Sequence, residues 1–374
     1  MTRLLVCVPS MSGGGAERVV LNLLRHLPRD RFELGLAVWR SGGAYFDQIP
    51  GDIRMFDLQC RLRTAPFALA RAIASFRPNT VFSTIGGANL AAAIACIIAS
   101  GNRCRLVVRE DVNPSTRRLG LDTLRHHLVY NWPFRGVLRA AYGRAQRVVC
   151  QCEGMAQDFR ANYRIPEGKL TVIHNPVDFP EISRLSMATS SPFSETGPNI
   201  LAVGRIHHVK GYDLLLKAFA DSGAESGSLH IVGDGDSSHL QKQAHELGVS
   251  HRVLFHGQQR NPYAYMRNAD ALVLSSRSEA SSNVLLEAMA CRCPTIAFDG
   301  LGGINEVVAK PQYGILVPHL DISALASALR ERSYRTVDVD AAFGHVAGMC
   351  SLERVVAAYS AILNSDADAH RNSQ

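Results

Sequence analysis

Residues 199–219, NILAVGRIHHVKGYDLLLKAF, carry the reading on which the fold turns. A short run of β-forming residues ends at a glycine, a basic loop follows, and a stretch of helix formers opens directly after Gly211. A strand, a loop and a helix in that order form the repeating unit of a parallel sheet, because each crossover between parallel strands needs a covering helix. The unit recurs on both sides. Upstream, LLVCVP, ELGLAVW, TVFST, RLVVRE, RVVCQ and LTVIH read as strands, with helices such as AERVVLNLLRHL and FALARAIASF between them. Downstream, SLHIVG, RVLFHG, DALVLSS, CPTIAF and GILVP continue the series. Residues 179–198, FPEISRLSMATSSPFSETGP, show no period and are rich in Ser, Thr and Pro, which predicts a linker.

The expected fold class is therefore α/β, with two doubly wound Rossmann-like domains facing an interdomain cleft. The boundaries read from the pattern are a first domain over 1–180, a linker over 181–198 and a second domain over 199–349. A C-terminal helix over 350–364, SLERVVAAYSAIL at its heart, is expected to pack back towards the first domain, leaving a tail at 365–374. A chain of 374 residues suits two cores better than one. Ligands of such sheets bind beyond the carboxyl ends of the strands, so the cleft is the expected site.

Composition narrows the partners. Hydrophobic residues make up 47% and charged ones 20%, as in a soluble globular protein. Lys and Arg number 40 against 33 Asp and Glu, and the net charge of +7 suits an anionic partner such as a phosphate, a nucleic acid or a membrane surface. Nine cysteines scattered from Cys7 to Cys350 form no disulfide framework. The pairs Cys150/Cys152 and Cys291/Cys293 lack companions at zinc-site spacing, so no metal site is expected. The longest apolar stretch, ANLAAAIACIIAS from Ala88, falls short of the roughly 20 residues that span a bilayer. Membrane contact, if any, is expected to be peripheral and the protein cytoplasmic.

Three strand ends carry chemistry. In SMSGGGAERVV, Gly13 to Gly15 lie between the first strand and the first helix, where backbone N–H groups and a helix N-terminus favour an anion. The spacing is neither a dinucleotide fingerprint nor a P-loop. In VGRIHHVKGYD, Arg205 offers a planar donor fork and Lys210 a point charge, together able to grip a diphosphate. His207 and His208, without supporting carboxylates, read as surface residues. In SRSEASSNVLLEAMA, Ser282 or Asn283 is placed to cap a helix starting near Val284, with Glu279 in the loop before it and Glu287 about one turn inside. Free amides beside carboxylates suit a phosphorylated, polyhydroxylated ligand.

Taken in order, GGAERVVLNL, HNPVD at 174–178, GR…KGYDLLLKA, the two glutamates eight positions apart followed by AMA, and GGINEV at 302–307 resemble the retaining glycosyltransferases of family four, of the GGAERV type found in bacterial surface-polysaccharide synthesis. The resemblance covers nearly the whole chain and implies the GT-B fold. It implies that Arg205 and Lys210 bind the donor diphosphate, that Glu287 binds the ribose, and that Glu279 lies near the transferred sugar. It places Gly14 and Gly15 against the phosphates or the acceptor, and Ala280 to Val284, hence Ser281, Ser282 and Asn283, along the donor. The resemblance thus names Arg205, Lys210 and Glu279 as catalytic. Two departures stand out. Ala280-Ser281-Ser282 replaces an aromatic-glycine pair, and where a histidine often ends a central strand of the first domain this chain has Arg109, which together with Glu17 becomes a candidate acceptor contact.

The activity so implied is transfer of a hexose or N-acetylhexosamine, with UDP as the expected nucleotide, to a lipid-linked saccharide, without a metal and with no cofactor because the nucleotide-sugar is itself a substrate. Arg117, Arg118, Arg125, Arg135, Arg139, Arg144 and Arg147, interleaved with Leu121, Leu124, Trp132, Phe134 and Tyr142, suggest a surface for anionic lipid headgroups. The alternatives are a nucleotide-sugar 2-epimerase of the same architecture and a noncatalytic nucleotide-sugar or nucleic-acid binding protein. Nucleic acid would account for the charge but not for cations, glycines and carboxylates gathered at strand ends in both halves.

Overall fold

The computed structural model describes every residue except 101–103, 113–135, 189, 195–196, 224–226, 301 and 365–374. Two compact units divide the chain, one of residues 1–176 with 352–374 and the other of residues 177–351. The first contains a seven-stranded sheet of β1 (Thr2–Val8), β2 (Phe32–Val38), β3 (Arg54–Asp57), β4 (Thr80–Thr84), β5 (Arg105–Arg109), β6 (Arg147–Cys150) and β7 (Leu170–Val172). Its spatial order is β3-β2-β1-β4-β5-β6-β7, and every neighbouring pair is parallel. The second holds β8 (Asn199–Val203), β9 (Ser228–Val232), β10 (Val253–Gly257), β11 (Ala271–Leu274), β12 (Thr295–Phe298) and β13 (Ile315–Val317) in the order β10-β9-β8-β11-β12-β13, again all parallel.

The α/β doubly wound reading holds, and every strand it named is present. The missed strand is β3: RMFD lies at the sheet edge with Arg54, Met55 and Asp57 exposed, so its sequence lacks the apolar run of a buried strand. Chain order reverses between β1 and β4 in the first sheet and between β8 and β11 in the second. Those two crevices are where open α/β sheets receive ligands.

The helix Leu352–Leu363 belongs to the first unit. Leu352, Val355, Val356, Tyr359 and Leu363 join the core formed by β1, β2 and the Gly15–His26 helix, and Tyr359 meets Phe82 of β4 edge-on at 5.6 Å. Its end is tied down as well, since Arg105 donates to the Asn364 carbonyl at 2.7 Å and Thr2 Oγ1 to the Asn364 side chain at 2.9 Å.

The segment expected as a linker is in fact largely part of the second unit. Residues Phe179–Ser186 form a helix capped by Asp178, whose side chain accepts from the Glu181 N–H at 3.0 Å. Ile182 is buried in the second core, and Phe193 packs against His230 with ring centroids 4.4 Å apart and planes tilted by 50°. Helical spacing was hidden there because Pro180 stands in the first turn, where proline is tolerated, and only a few apolar residues mark the buried face.

Candidate functional site

Beyond β8 the chain is held in a fixed loop by glycines. A Cβ on Gly233 would lie 1.9 Å from the Gly204 carbonyl oxygen, and one on Gly235 would lie 2.9 Å from Ile206. The two glycines of Gly233-Asp234-Gly235 therefore let the β9 loop press on residues 204–206, and Ile206 N–H donates to the Asp234 carbonyl at 2.6 Å. Arg205 sits on this platform, exposed, and among the described residues it has no hydrogen-bond or ion-pair partner. Its guanidinium is thus available to an incoming anion.

Lys210 ends the next short turn, and Gly211 follows at φ 65° with room for no side chain, since a Cβ would lie 2.0 Å from the Ser275 carbonyl oxygen. That close approach joins the loops after β8 and β11, the two strands at the switch point. Ser275 Oγ donates to the Lys210 carbonyl at 2.9 Å, and Arg277 N–H to the Val209 carbonyl at 2.8 Å. Arg277 also forks onto Asp213 at 2.7 and 2.6 Å. Burial acts to raise the Asp213 carboxyl, but the Arg277 fork outweighs it and holds the group below the usual carboxylate range.

Lys210 and Glu279, 69 positions apart, meet here: Nζ donates to Glu279 Oε1 at 2.6 Å. Ser276 Oγ donates to the same oxygen at 2.8 Å. The pair is largely shielded, with side-chain exposures of 24% and 12%, so the attraction is screened less than at an open surface. Tyr212 backs it, donating to the Gly204 carbonyl at 2.9 Å, and burial together with the nearby Glu279 pushes its phenol well above the usual tyrosine range. Glu279 is thus a carboxylate oriented by two donors.

After Ala280 and Ser281 the chain turns into the helix Asn283–Ala290. Ser282 is its N-cap, accepting from the Leu285 N–H at 3.4 Å. Of the two expected capping residues Ser282 takes the role, and Asn283 and Val284 open the helix. Glu287 lies one turn in and is half-buried. The backbone of Glu279 and Ala280 is clamped from behind by Gly302 and Gly303. A Cβ on Gly302 would lie 2.2 Å from the Glu279 carbonyl oxygen, and Gly303 N–H donates to the Ala280 carbonyl at 2.8 Å. GGINEV thus works by letting backbone meet backbone behind Glu279.

In the first unit Gly14 caps the Gly15–His26 helix and Glu17 sits in its first turn. The Glu17 carboxylate folds back over Gly14, where an added Cβ would lie 2.4 Å from Oε2. A carboxylate over the first amides of a helix fills the place an anion would take.

Arg109 departs from its expected role as an acceptor contact. Its side chain is 1% exposed at the end of β5, donating to Thr84 Oγ1 at 3.2 Å and Asn175 Oδ1 at 2.6 Å. Asn175 in turn donates to Gln151 at 2.9 Å, Gln151 donates to the Glu110 carbonyl at 2.9 Å, and Tyr142 donates to the Glu110 carboxylate. The network ties the ends of β4, β5 and β6 to the HNPVD loop, so the physical role of Arg109 is to position that loop from the interior. Residue-by-residue reading missed Glu110, Gln151 and Asn175 because polar residues at strand ends look like loop. Arg117, Arg118, Arg125, Arg135, Leu121, Leu124, Trp132 and Phe134, offered as a lipid-facing segment, lie outside the described residues.

Comparison with known proteins agrees with this geometry. Residues 13–180 match the family described as Glycosyltransferase Family 4, and residues 185–332 the family described as Glycosyl transferases group 1. The N-acetylgalactosamine-N,N'-diacetylbacillosaminyl-diphospho-undecaprenol 4-alpha-N-acetylgalactosaminyltransferase of Campylobacter jejuni is 28% identical over 333 residues, covering 85% of this chain and 86% of its own. Among solved structures, Anabaena HepE in complex with UDP aligns with a TM-score of 0.77 at 20% identity, over 98% of this chain and 100% of that one. The sucrose-phosphate synthase of Thermosynechococcus elongatus aligns with a TM-score of 0.80 at 17% identity, over 97% and 98%. At those identities the structural likeness speaks to fold. The two family matches, joined end to end over most of the chain and on the strand ends described above, place this protein among the family 4, group 1 glycosyltransferases with the GT-B fold.

Proposed function

We propose that the chain is a retaining hexosyltransferase that moves a hexose or N-acetylhexosamine from a UDP-sugar to a lipid-linked saccharide at the cytoplasmic face of a membrane, in the assembly of a surface polysaccharide. The observation that carries this reading is the Lys210–Glu279 pair, 2.6 Å apart at the β8/β11 switch point, with the unpartnered Arg205 on the same loop. In the proposed reaction the bond from the anomeric carbon to the donor phosphate breaks as the bond to the acceptor oxygen forms. The acceptor proton passes to the departing phosphate, and UDP leaves. Charge grows on the diphosphate in the transition state, and Arg205 and Lys210 are preorganised to meet it, which is the role a divalent ion fills elsewhere. Ser281, Ser282, Asn283 and Val284 supply backbone and hydroxyl contacts to the donor and Glu287 holds the ribose, while in the first unit the Gly14–Gly15 turn, with the Glu17 carboxylate over it, takes the acceptor.

The diphospho-undecaprenol named for the Campylobacter relative and the UDP bound by HepE support the classes of acceptor and donor. Attack from the leaving-group face fits a Glu279 carboxylate already engaged by Lys210 and Ser276. A thermal-shift panel of nucleotide sugars, followed by product analysis with the best stabiliser and a polyprenyl-diphosphate saccharide, tests the reading. Stabilisation by a UDP-sugar and an α-linked product from an α-linked donor are expected. An inverted product, a sugar covalently trapped on Glu279, or epimerised nucleotide-sugar without acceptor would each overturn it.

A further inference from the structure

Some surface arginines of this protein are paired with a carboxylate: Arg3 with Glu33, Arg29 with Asp52, Arg184 with Glu181, and Arg292 with Asp340. One long segment of the sequence supplies no acidic partner of its own. Between Asp57 and Glu110 the sequence contains no Asp or Glu and seven Arg. Within it, Arg61, Arg63 and Arg71 are exposed, and their guanidinium groups have no ion-pair or hydrogen-bond partner among the described residues.

The same segment carries five of the ten large exposed apolar side chains among the described residues. The helices Ala65–Phe76 and Gly86–Ser100 pack side by side on the first sheet. The first exposes Phe67 at 62%. On the second, Ile94, Ile97 and Ile98 are 40%, 54% and 49% exposed, and their spacing puts them on one face of the helix. Leu62, 57% exposed, precedes the first helix and lies over the start of the second, 3.4 Å from where a Gly87 Cβ would stand. Isolated exposed leucines are ordinary, but three isoleucines on one stripe of a helix that packs against another exposing a phenylalanine are not. The Gly86–Ser100 helix bears no charged residue, and no helix among the described residues is long and apolar enough to cross a membrane.

We infer that this pair of helices is the face on which the protein lies on an anionic lipid bilayer. Leu62, Phe67, Ile94, Ile97 and Ile98 enter the interface, and Arg61, Arg63 and Arg71 meet the headgroups. Charge selects this occupant over a second protein: three unpaired guanidinium groups, with Asp57 beside Arg61 at their border, suit a uniformly negative plane better than a partner of mixed charge. The inference rests on the proposed lipid-linked acceptor and assigns the surface that brings the enzyme to it.

Flotation of the full chain with phosphatidylcholine vesicles, with and without about a third phosphatidylglycerol, tests the assignment. Binding is expected only with the anionic lipid. Replacing Arg61, Arg63 and Arg71 by Gln should lower partitioning by about a hundredfold, and Ile97→Asp with Ile98→Asp by tenfold or more. UDP binding measured in the same samples should be unchanged in both variants, which also shows that they fold. Wild-type protein that binds UDP but no vesicle, variants that partition like wild type, or concentration-dependent dimerisation abolished by the Ile97 and Ile98 changes would overturn the docking face and leave the glycosyltransferase reading intact. Vesicle binding lost in these variants, by a protein that binds no nucleotide, would sustain the face and sink the function.

Discussion

Replacing Gly302 by alanine should disable the enzyme from a position assigned no ligand contact. The added Cβ would stand 2.2 Å from the Glu279 carbonyl oxygen and 3.0 Å from that of Ala280. The first distance is about 1 Å short of an ordinary C···O contact of roughly 3.3 Å. The φ of 147° at Gly302 is also one that residues with a Cβ avoid, at a cost of about 1–3 kcal/mol. The obstacle is backbone, so no side-chain rotation relieves it. Either the 302–303 turn swings away and loses the Gly303 to Ala280 hydrogen bond, or Glu279 is pushed out of register with Lys210. A displacement of about 1 Å at a catalytic carboxylate costs on the order of a hundredfold in turnover. The assay is steady-state transfer with the best donor, read as kcat and KM separately, beside thermal unfolding. We expect stability to fall by about 2 kcal/mol and kcat by ~100-fold, with KM changed far less because Arg205 is not touched. Wild-type kcat in a folded Gly302→Ala protein would refute the reasoning that this turn positions Glu279.

Gly344 offers the opposite case: it is exposed inside the helix Val339–Cys350, and a Cβ there meets nothing within 4 Å. Gly344→Ala should raise stability by about 1 kcal/mol in urea unfolding without altering activity. Arg109→Leu should destabilise by about 3 kcal/mol, because Thr84 and Asn175 lose their buried donor. The same change should loosen the HNPVD loop, read as faster amide exchange near Asn175. Asp213 has a folded pKa below its unfolded value, so its contribution is present in full above about pH 4 and is lost as acid protonates the folded carboxyl. Its side chain is 34% exposed, which limits the contribution to about 1 kcal/mol. Urea midpoints of wild type and Asp213→Asn should therefore differ at pH 6 and converge towards pH 3.

Much of this was legible in the chain because buried parallel strands are written as short β-branched runs, and β8 or β11 cannot be mistaken for helix. Edge strand β3 escaped because a strand exposed along its length has no such run. At the site, the residue types were readable but their partnerships were not. Lys210 and Glu279 are joined only by topology, which sets β11 beside β8. Gly233, Gly235 and Gly302 are explained by close approaches between distant backbones, a property of the fold that local sequence does not display. Arg109 misled for the same reason: an arginine at a strand end looks like a ligand contact until Thr84 and Asn175 are seen to enclose it.

The central claim is that the loop after β8 grips the donor diphosphate through Arg205 and Lys210. Isothermal titration of UDP into wild type, Arg205→Ala, Lys210→Ala and the exposed control Arg335→Ala tests it directly. Loss of one charge-assisted contact should weaken binding by about 10- to 100-fold in each of the first two variants, more in Lys210→Ala because Glu279 is left facing the phosphates, while Arg335→Ala binds like wild type. UDP affinity unchanged by removing both Arg205 and Lys210 would contradict the account.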